Sequence, residues 1–177
     1  MPNIKETWSQ LAPETSQVII CDLQEQIVAP SKTTTPDALS QSAEVLCQIA
    51  QLFKLPLTFS VVPEATNAPT LIASLKPFAL EKNQILRATA SPFIDPATRE
   101  HLASLGRPTL IIAGFATEVV VLHADLDALR AAYGVTVAAD ACGGMSDRTE
   151  LAALAQIRDN GGTVSSVVSI ATALSPD

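Results

Sequence analysis

Short apolar runs rich in β-branched residues alternate with longer stretches of helical periodicity along the chain, and this alternation limits the folds available to it. The runs occupy residues 17–21, 57–62, 109–113, 135–139 and 163–168. A strand that is apolar at nearly every position is typical of a sheet covered on both faces. Strands separated by helical crossovers pair in parallel. The pattern therefore predicts an α/β fold with five or six parallel strands.

The stretches between these runs carry residues that begin and end helices. Thr35 and Pro36 suit the cap and the first turn of a helix over 36–52, through which apolar residues recur at helical spacing. Further helices are predicted over residues 69–75, 96–105, 117–132 and 147–160. Since the 177 residues contain no internal repeat and no linker, we predict a single domain over 1–177.

The charge balance excludes two classes of partner. Eighteen acidic residues against eleven basic ones give a net charge of −7, without any cluster of lysine or arginine. We therefore expect neither a nucleic acid nor a membrane as a partner. Residues 1–15 lack the apolar segment of a signal peptide, and three unevenly spaced cysteines do not form a disulfide framework. A cytoplasmic protein is the corresponding expectation.

The composition also bears on assembly. Charged residues make up 16% of the sequence and hydrophobic residues 47%, whereas soluble domains carry roughly 25% charged residues. Part of so weakly charged a surface is expected to be covered by further copies of the chain. We predict a homo-oligomer, a dimer or larger.

Polar residues lie at the ends of three predicted strands: Asp22, the turn 114–117 and Asp140. Ligands of open parallel sheets bind beyond the carboxyl ends of the strands, so together these positions indicate a site. The chain has no G-x-G-x-x-G and no G-x-x-x-x-G-K-S/T motif. Its two histidines, His101 and His123, have no second ligand at metal-binding spacing. We therefore predict no metal and no cofactor.

Five segments resemble the isochorismatase-like cysteine hydrolases, a family that includes nicotinamidases and the ureidoacrylate and carbamoylsarcosine amidohydrolases. The segments are VIICDLQ at 18–24, ILRATASPF at 85–93, LIIAGFATEVVVLHADLDAL at 110–129, GVTVAADACGG at 134–144 and the capped helix that ends in NGG at 160–162. The Asp-x-Gln after the first strand and the G-x-x-T-D/E-V-x-V turn are the more specific parts. The resemblance implies a three-layer α/β/α fold with a six-stranded parallel sheet.

The same resemblance implies which residues occupy the family's functional positions. In the family's Asp, Lys, Cys triad, the aspartate corresponds to Asp22, the lysine to Arg87 and the nucleophilic cysteine to Val120. The substrate-binding positions correspond to Gln24, Phe115, Ala116 and Thr117. We expect Asp22 and Arg87 to form an ion pair beside Val120.

Valine at position 120 has a direct chemical consequence. A cysteine in the first turn of a helix, beside a cation, is activated because the helix dipole and the charge stabilise its thiolate. Valine has no lone pair with which to attack, so covalent catalysis through residue 120 is excluded. The resemblance then favours a family member that has lost amide or ester hydrolysis and serves in small-molecule binding or assembly. The sequence does not identify the ligand.

An active hydrolase that acts on a small amide or ester is the alternative interpretation. Asp22 could activate a water molecule, or Cys142, just after Asp140, could supply a displaced nucleophile. Cys21 suits a structural position, because neighbours on a strand point to opposite faces and Asp22 is the next residue. Cys47 lies near the apolar stripe of a predicted helix. Both function classes stay open from the sequence.

Overall fold

The computed structural model describes residues 11–64 and 68–175, and one six-stranded sheet forms its centre. The strands are β1 (Ser16–Cys21), β2 (Leu57–Val61), β3 (Gln84–Leu86), β4 (Thr109–Phe115), β5 (Gly134–Gly143) and β6 (Thr163–Ser165). All neighbours pair in parallel, in the order β3-β2-β1-β4-β5-β6. The predicted α/β fold with a parallel sheet is therefore confirmed.

Helices cover both faces of this sheet. They are α1 (Glu25–Val28), α2 (Pro36–Leu52), α3 (Pro96–Ser104), α4 (Leu122–Arg130), α5 (Asp147–Asp159) and α6 (Val167–Leu174). Residues of α1, α2 and α6 belong to one apolar cluster, and residues of α3, α4 and α5 belong to the other. The result is the expected three-layer α/β/α arrangement. Among the described residues, no helix is long and apolar enough to cross a membrane.

Strand β1 shows why the apolar runs fold as they do. Val18 and Ile20 belong to one cluster, whereas Ile19 and Cys21 belong to the other. Each of the four is at most 1% exposed, because alternate side chains point to opposite faces and both faces are covered. Burial of one such Val or Ile side chain stabilises the fold by about 1.5–3 kcal/mol.

The helices begin at capping residues that satisfy free backbone N–H groups. The Thr35 side chain accepts a hydrogen bond from the Ala38 N–H, and the bounds of α2 match the predicted helix over 36–52. Ser146 caps α5 in the same way through the Thr149 N–H. A cap of this kind contributes about 1 kcal/mol, so local sequence suffices to place these helix starts.

Gly114 lies inside a strand, although the sequence predicted that the strand ends at residue 113. Its φ is +156°, and a Cβ atom there would lie 2.9 Å from Cβ of Cys21. Glycine thus allows β4 to approach β1 closely and does not terminate the strand. Strand β5 likewise continues to Gly143, beyond the predicted end at residue 139.

Two other predicted elements differ from the structure, one in its type and one in its length. The helix expected over 69–75 is replaced by a short 3₁₀ helix, Ala73–Phe78, because Leu71 forms a bridge with Gln24. The strand expected over 163–168 ends at Ser165 and α6 follows it. The Ser166 side chain accepts a hydrogen bond from the Ser169 N–H and thereby starts that helix.

Candidate functional site

The candidate site lies where the order of the strands reverses. The chain passes from β1 outward to β3 and then returns to place β4 on the other side of β1. Cys21, at the end of β1, lies opposite Gly114 of β4. Ligands of open α/β sheets bind in the crevice at such a reversal, beyond the carboxyl ends of the strands.

A buried ion pair occupies this edge of the sheet. Arg87 Nη1 donates to Asp22 Oδ1 at 2.7 Å, and Arg87 Nη2 donates to Asp22 Oδ2 at 2.8 Å. The Arg87 side chain is fully buried, and that of Asp22 is 11% exposed. The ion pair expected from the sequence is thus present. Loss of one partner of such a pair typically costs about 3–5 kcal/mol, because the other charge stays buried.

Backbone hydrogen bonds hold both residues in place. Asp22 has a φ of 57°, its N–H donates to Ser60 O at 2.9 Å, and the Gln24 N–H donates to Asp22 O at 2.8 Å. The Arg87 N–H donates to Val61 O at 2.9 Å, which extends the pairing of β2 and β3 by one residue. The carboxylate and the guanidinium therefore reach each other from the ends of β1 and β3.

The electrostatics of the pair follow from its burial. Burial raises the pKa of the Asp22 carboxyl, and the Arg87 guanidinium opposes that rise. Burial alone would lower the pKa of Arg87, but hydrogen bonding to Asp22 and the charges nearby raise it above its ordinary value. Arg87 Nε is buried and has no hydrogen-bond partner among residues 11–64 and 68–175. The site therefore holds a permanent cation with one unused donor.

Val120 lies in the turn that follows β4. Residues Thr117–Val121 form one π-helical turn before α4 begins. The Val119 N–H donates to Ala116 O at 3.0 Å, and the Phe115–Ala116 peptide bond is cis. Val120 is 1% exposed and belongs to the same apolar cluster as Cys21. Position 120 is therefore an aliphatic core position.

Two of the predicted substrate-binding side chains bind other parts of the chain. Gln24 Nε2 donates to Val62 O at 3.0 Å and to Glu64 Oε1 at 2.9 Å, while Gln24 Oε1 accepts from the Val62 N–H at 2.8 Å. The Thr117 hydroxyl lies 3.1 Å from Gly143 O and 2.6 Å from Glu150 Oε1. Both side chains are fully buried. In this structure Gln24 binds the segment after β2, and Thr117 connects the turn after β4 to β5 and α5.

Sequence reasoning missed the role of Glu118, the carboxylate of the turn after β4. Glu118 Oε1 accepts hydrogen bonds from the Met145 N–H and from the Thr149 hydroxyl, both at 2.8 Å. These contacts join the turn after β4 to the start of α5. No local sequence motif indicates these hydrogen bonds, because the partners of Glu118 are 27 and 31 residues away.

Asp140 and the cysteines do not join the ion pair. Asp140 Oδ1 accepts from the Val167 N–H at 2.8 Å and so caps α6. Cys142 is fully buried, and its burial raises the thiol pKa to about 12. Burial also raises the pKa of Cys21, although Arg87 opposes this rise. The described part of the chain has no group of three or more His, Cys, Asp or Glu residues that could hold a metal ion.

Comparisons with known proteins agree with this architecture. The isochorismatase domain model matches residues 16–169. Isochorismatase domain-containing protein 2B of Mus musculus is 25% identical over 157 residues, covering 89% of this chain and 72% of that protein. YcaC from Pseudomonas aeruginosa, solved with hexane-2,5-diol and covalent acrylamide, is 25% identical with a TM-score of 0.89, covering 95% of this chain and 84% of its own.

A second solved structure has the same fold. The YcaC gene product from Escherichia coli, an octameric hydrolase of unknown specificity, is 23% identical with a TM-score of 0.89, covering 94% of this chain and 82% of its own. The domain match spans both the ion pair and the turn after β4. The chain belongs to the isochorismatase family.

Proposed function

We propose that this chain is an isochorismatase-family protein that lacks cysteine-dependent hydrolysis and serves in small-molecule binding or assembly. The observation that carries the proposal is Val120, an aliphatic side chain that is 1% exposed at the position corresponding to the family nucleophile. No attacking atom is available there. The direct test is turnover by the purified protein, which is expected to stay at background for the family's substrate classes.

Asp22 is poorly suited to activate water. Both of its carboxylate oxygens accept charged hydrogen bonds from Arg87, so both oxygens that would accept a proton from water are already engaged. Its side chain is only 11% exposed, so little of the carboxylate meets solvent. These two observations favour a role for Asp22 in holding Arg87 over a role in proton abstraction.

The binding part of the proposal places a small polar ligand beside the ion pair. Asp22 and Ala116 are each 8% exposed, and they lie at the ends of the two strands that flank the reversal of strand order. The unused Nε donor of Arg87 adds a polar group to this edge. The geometry supports binding without bond cleavage, because a cation and donors are present while a nucleophile is absent at residue 120.

Native protein is expected to resist alkylation of its thiols. Cys21, Cys47 and Cys142 are fully buried, and burial raises the thiol pKa of Cys47 and of Cys142 to about 12. At pH 8 only about one part in ten thousand of such a thiol is thiolate. Intact-protein mass spectrometry after treatment with acrylamide should show no adduct on native protein and three adducts after unfolding in guanidinium. A single adduct on native protein at Cys142 would support the displaced nucleophile.

Self-assembly is the other part of the proposal. Leu52, Leu151 and Val168 are 74%, 65% and 71% exposed on the isolated chain, so a partner that covered them would remove apolar surface from water. The octameric E. coli protein has the same fold. Light scattering at micromolar concentration is expected to give a mass of at least two chains. A single species of 18.6 kDa would show that the chain is a monomer.

A further inference from the structure

A cavity of about 380 Å³ lies near the amino-terminal ends of strands β2 and β3. Leu57, the first residue of β2, contributes to its wall, together with Leu105 after α3 and Phe78 of the 3₁₀ helix. The ion pair lies beyond the other ends of the strands, so the two sites are separate. A volume of about 300–1,000 Å³ is typical of small-molecule sites.

The polar residues described at the cavity include a lysine and no carboxylate. Lys82, Asn83 and His101 line it, and no aspartate or glutamate among the described residues does. This is notable in a chain with eighteen acidic and eleven basic residues. Lys82 forms no ion pair with any residue in the described ranges, so its ammonium group can pair with a ligand.

The histidine of the cavity is held in a defined position. His101 Nε2 lies 3.1 Å from the Thr58 hydroxyl, and Thr58 is fully buried in β2. Asn83 is held as well, because its Oδ1 accepts from the Leu80 N–H at 2.7 Å and its Nδ2 donates to Phe78 O at 3.2 Å. The walls are therefore formed before any ligand binds, which lowers the entropic cost of binding.

We infer that this cavity binds a small monocarboxylate with an apolar body. The carboxylate pairs with the Lys82 ammonium group, and the apolar part contacts Leu57, Phe78 and Leu105. Charge complementarity favours an anion over a neutral molecule, because Lys82 is the one Lys, Arg, Asp or Glu residue among the described residues that line the cavity. This site does not depend on the chemistry at residue 120, so it can exist whether or not the chain hydrolyses anything.

Isothermal titration calorimetry with 4-phenylbutyrate, and with its neutral counterpart 4-phenylbutanol, tests the inference. The acid is expected to bind saturably with a Kd below about 1 mM, and the alcohol at least about tenfold more weakly. Lys82→Met removes the charge from an exposed side chain and should weaken binding of the acid by about tenfold. Lys32→Met, which makes the same change at another exposed lysine, should leave binding unchanged.

Leu105→Trp provides a second measurement, because the larger side chain fills the cavity and should abolish binding of the acid. If this variant does not fold, Lys82→Met and Lys32→Met still decide the question. Three results would overturn the inference: no saturable heat with the acid, equal affinity for acid and alcohol, or equal weakening by Lys82→Met and Lys32→Met. Unchanged affinity in Leu105→Trp would also overturn it, since the acid would then bind elsewhere.

Discussion

Purified wild-type protein is expected to hydrolyse nicotinamide, isochorismate, ureidoacrylate and carbamoylsarcosine no faster than background. Removal of the nucleophile from a covalent hydrolase typically lowers turnover by about a million-fold. From a typical turnover number of about 10 per second, this leaves about 10⁻⁵ per second. Ammonia release for the amides and chromatographic detection of product for isochorismate measure the result. Val120 is the reason, because its side chain offers neither a lone pair nor an exchangeable proton.

Variants at residues 120, 87 and 22 separate the contribution of the nucleophile to turnover from the contributions of its partners. Val120→Cys alone is expected to recover little activity, because Arg87 does not release a proton near neutral pH. Val120→Cys combined with Arg87→Lys should exceed either single variant, since an acid–base partner contributes about 10²–10⁴-fold. Asp22→Asn in this double background is the matched control. It keeps the thiol and the lysine and should abolish the gain.

Two results would contradict the proposed loss of hydrolysis. Wild-type turnover that survives Cys142→Ala and vanishes with Asp22→Asn would show an enzyme that depends on Asp22. Turnover that vanishes with Cys142→Ala would show that the nucleophile lies at the end of β5. Neither result bears on the inferred monocarboxylate site in the cavity lined by Leu57 and Lys82, because that site is measured by binding.

Stability is expected to fall as the pH rises from about 4 to about 7, because of Asp125 on α4. This residue is fully buried, and neither carboxylate oxygen has a hydrogen-bond partner among the described residues. It packs against Gly162, where a Cβ atom would lie 3.0 Å from Asp125 Oδ2. Desolvation by burial raises the pKa of Asp125 from 3.8 to about 7.

The sign and the size of this effect follow from proton linkage. Between the unfolded and the folded pKa, the folded chain keeps the proton that the unfolded chain has lost, so each pH unit lowers the free energy of unfolding by about 1.4 kcal/mol. The shift of Asp125 to about 7 corresponds to about 4 kcal/mol in total. The stabilisation is fully present below about pH 4 and is lost above about pH 7.

Urea unfolding at several pH values, with protein concentration held constant, measures the prediction. Asp125→Asn removes the titration, so the free energy of unfolding of the variant relative to wild type should rise from pH 4 to about pH 7 and then level off. Asp127→Asn is the matched control on the same helix, because that carboxylate is partly exposed and pairs with Arg130. A difference between Asp125→Asn and wild type that does not change with pH would show that Asp125 does not titrate in this range.

The elements that sequence reasoning located correctly are those with local causes. Helix α2 has its own cap and its own apolar periodicity, so its bounds could be predicted to the residue. Gly114 shows the opposite case, because its place inside β4 depends on the close approach of Cys21 on a neighbouring strand. The start of α6 also depends on a distant group, the Asp140 carboxylate, 27 residues earlier.

The features of the candidate site also fall into those with local causes and those that depend on distant contacts. By itself, the sequence determined the parallel α/β class and the chemistry missing at Val120, because hydrophobic periodicity and side-chain identity are local properties. Only the tertiary structure decided that Asp22 meets Arg87 across 65 residues, that Gln24 binds Glu64, and that Asp125 is buried without a partner. Hydrogen bonding and desolvation depend on which groups the fold brings together, and those contacts are not encoded at any single position.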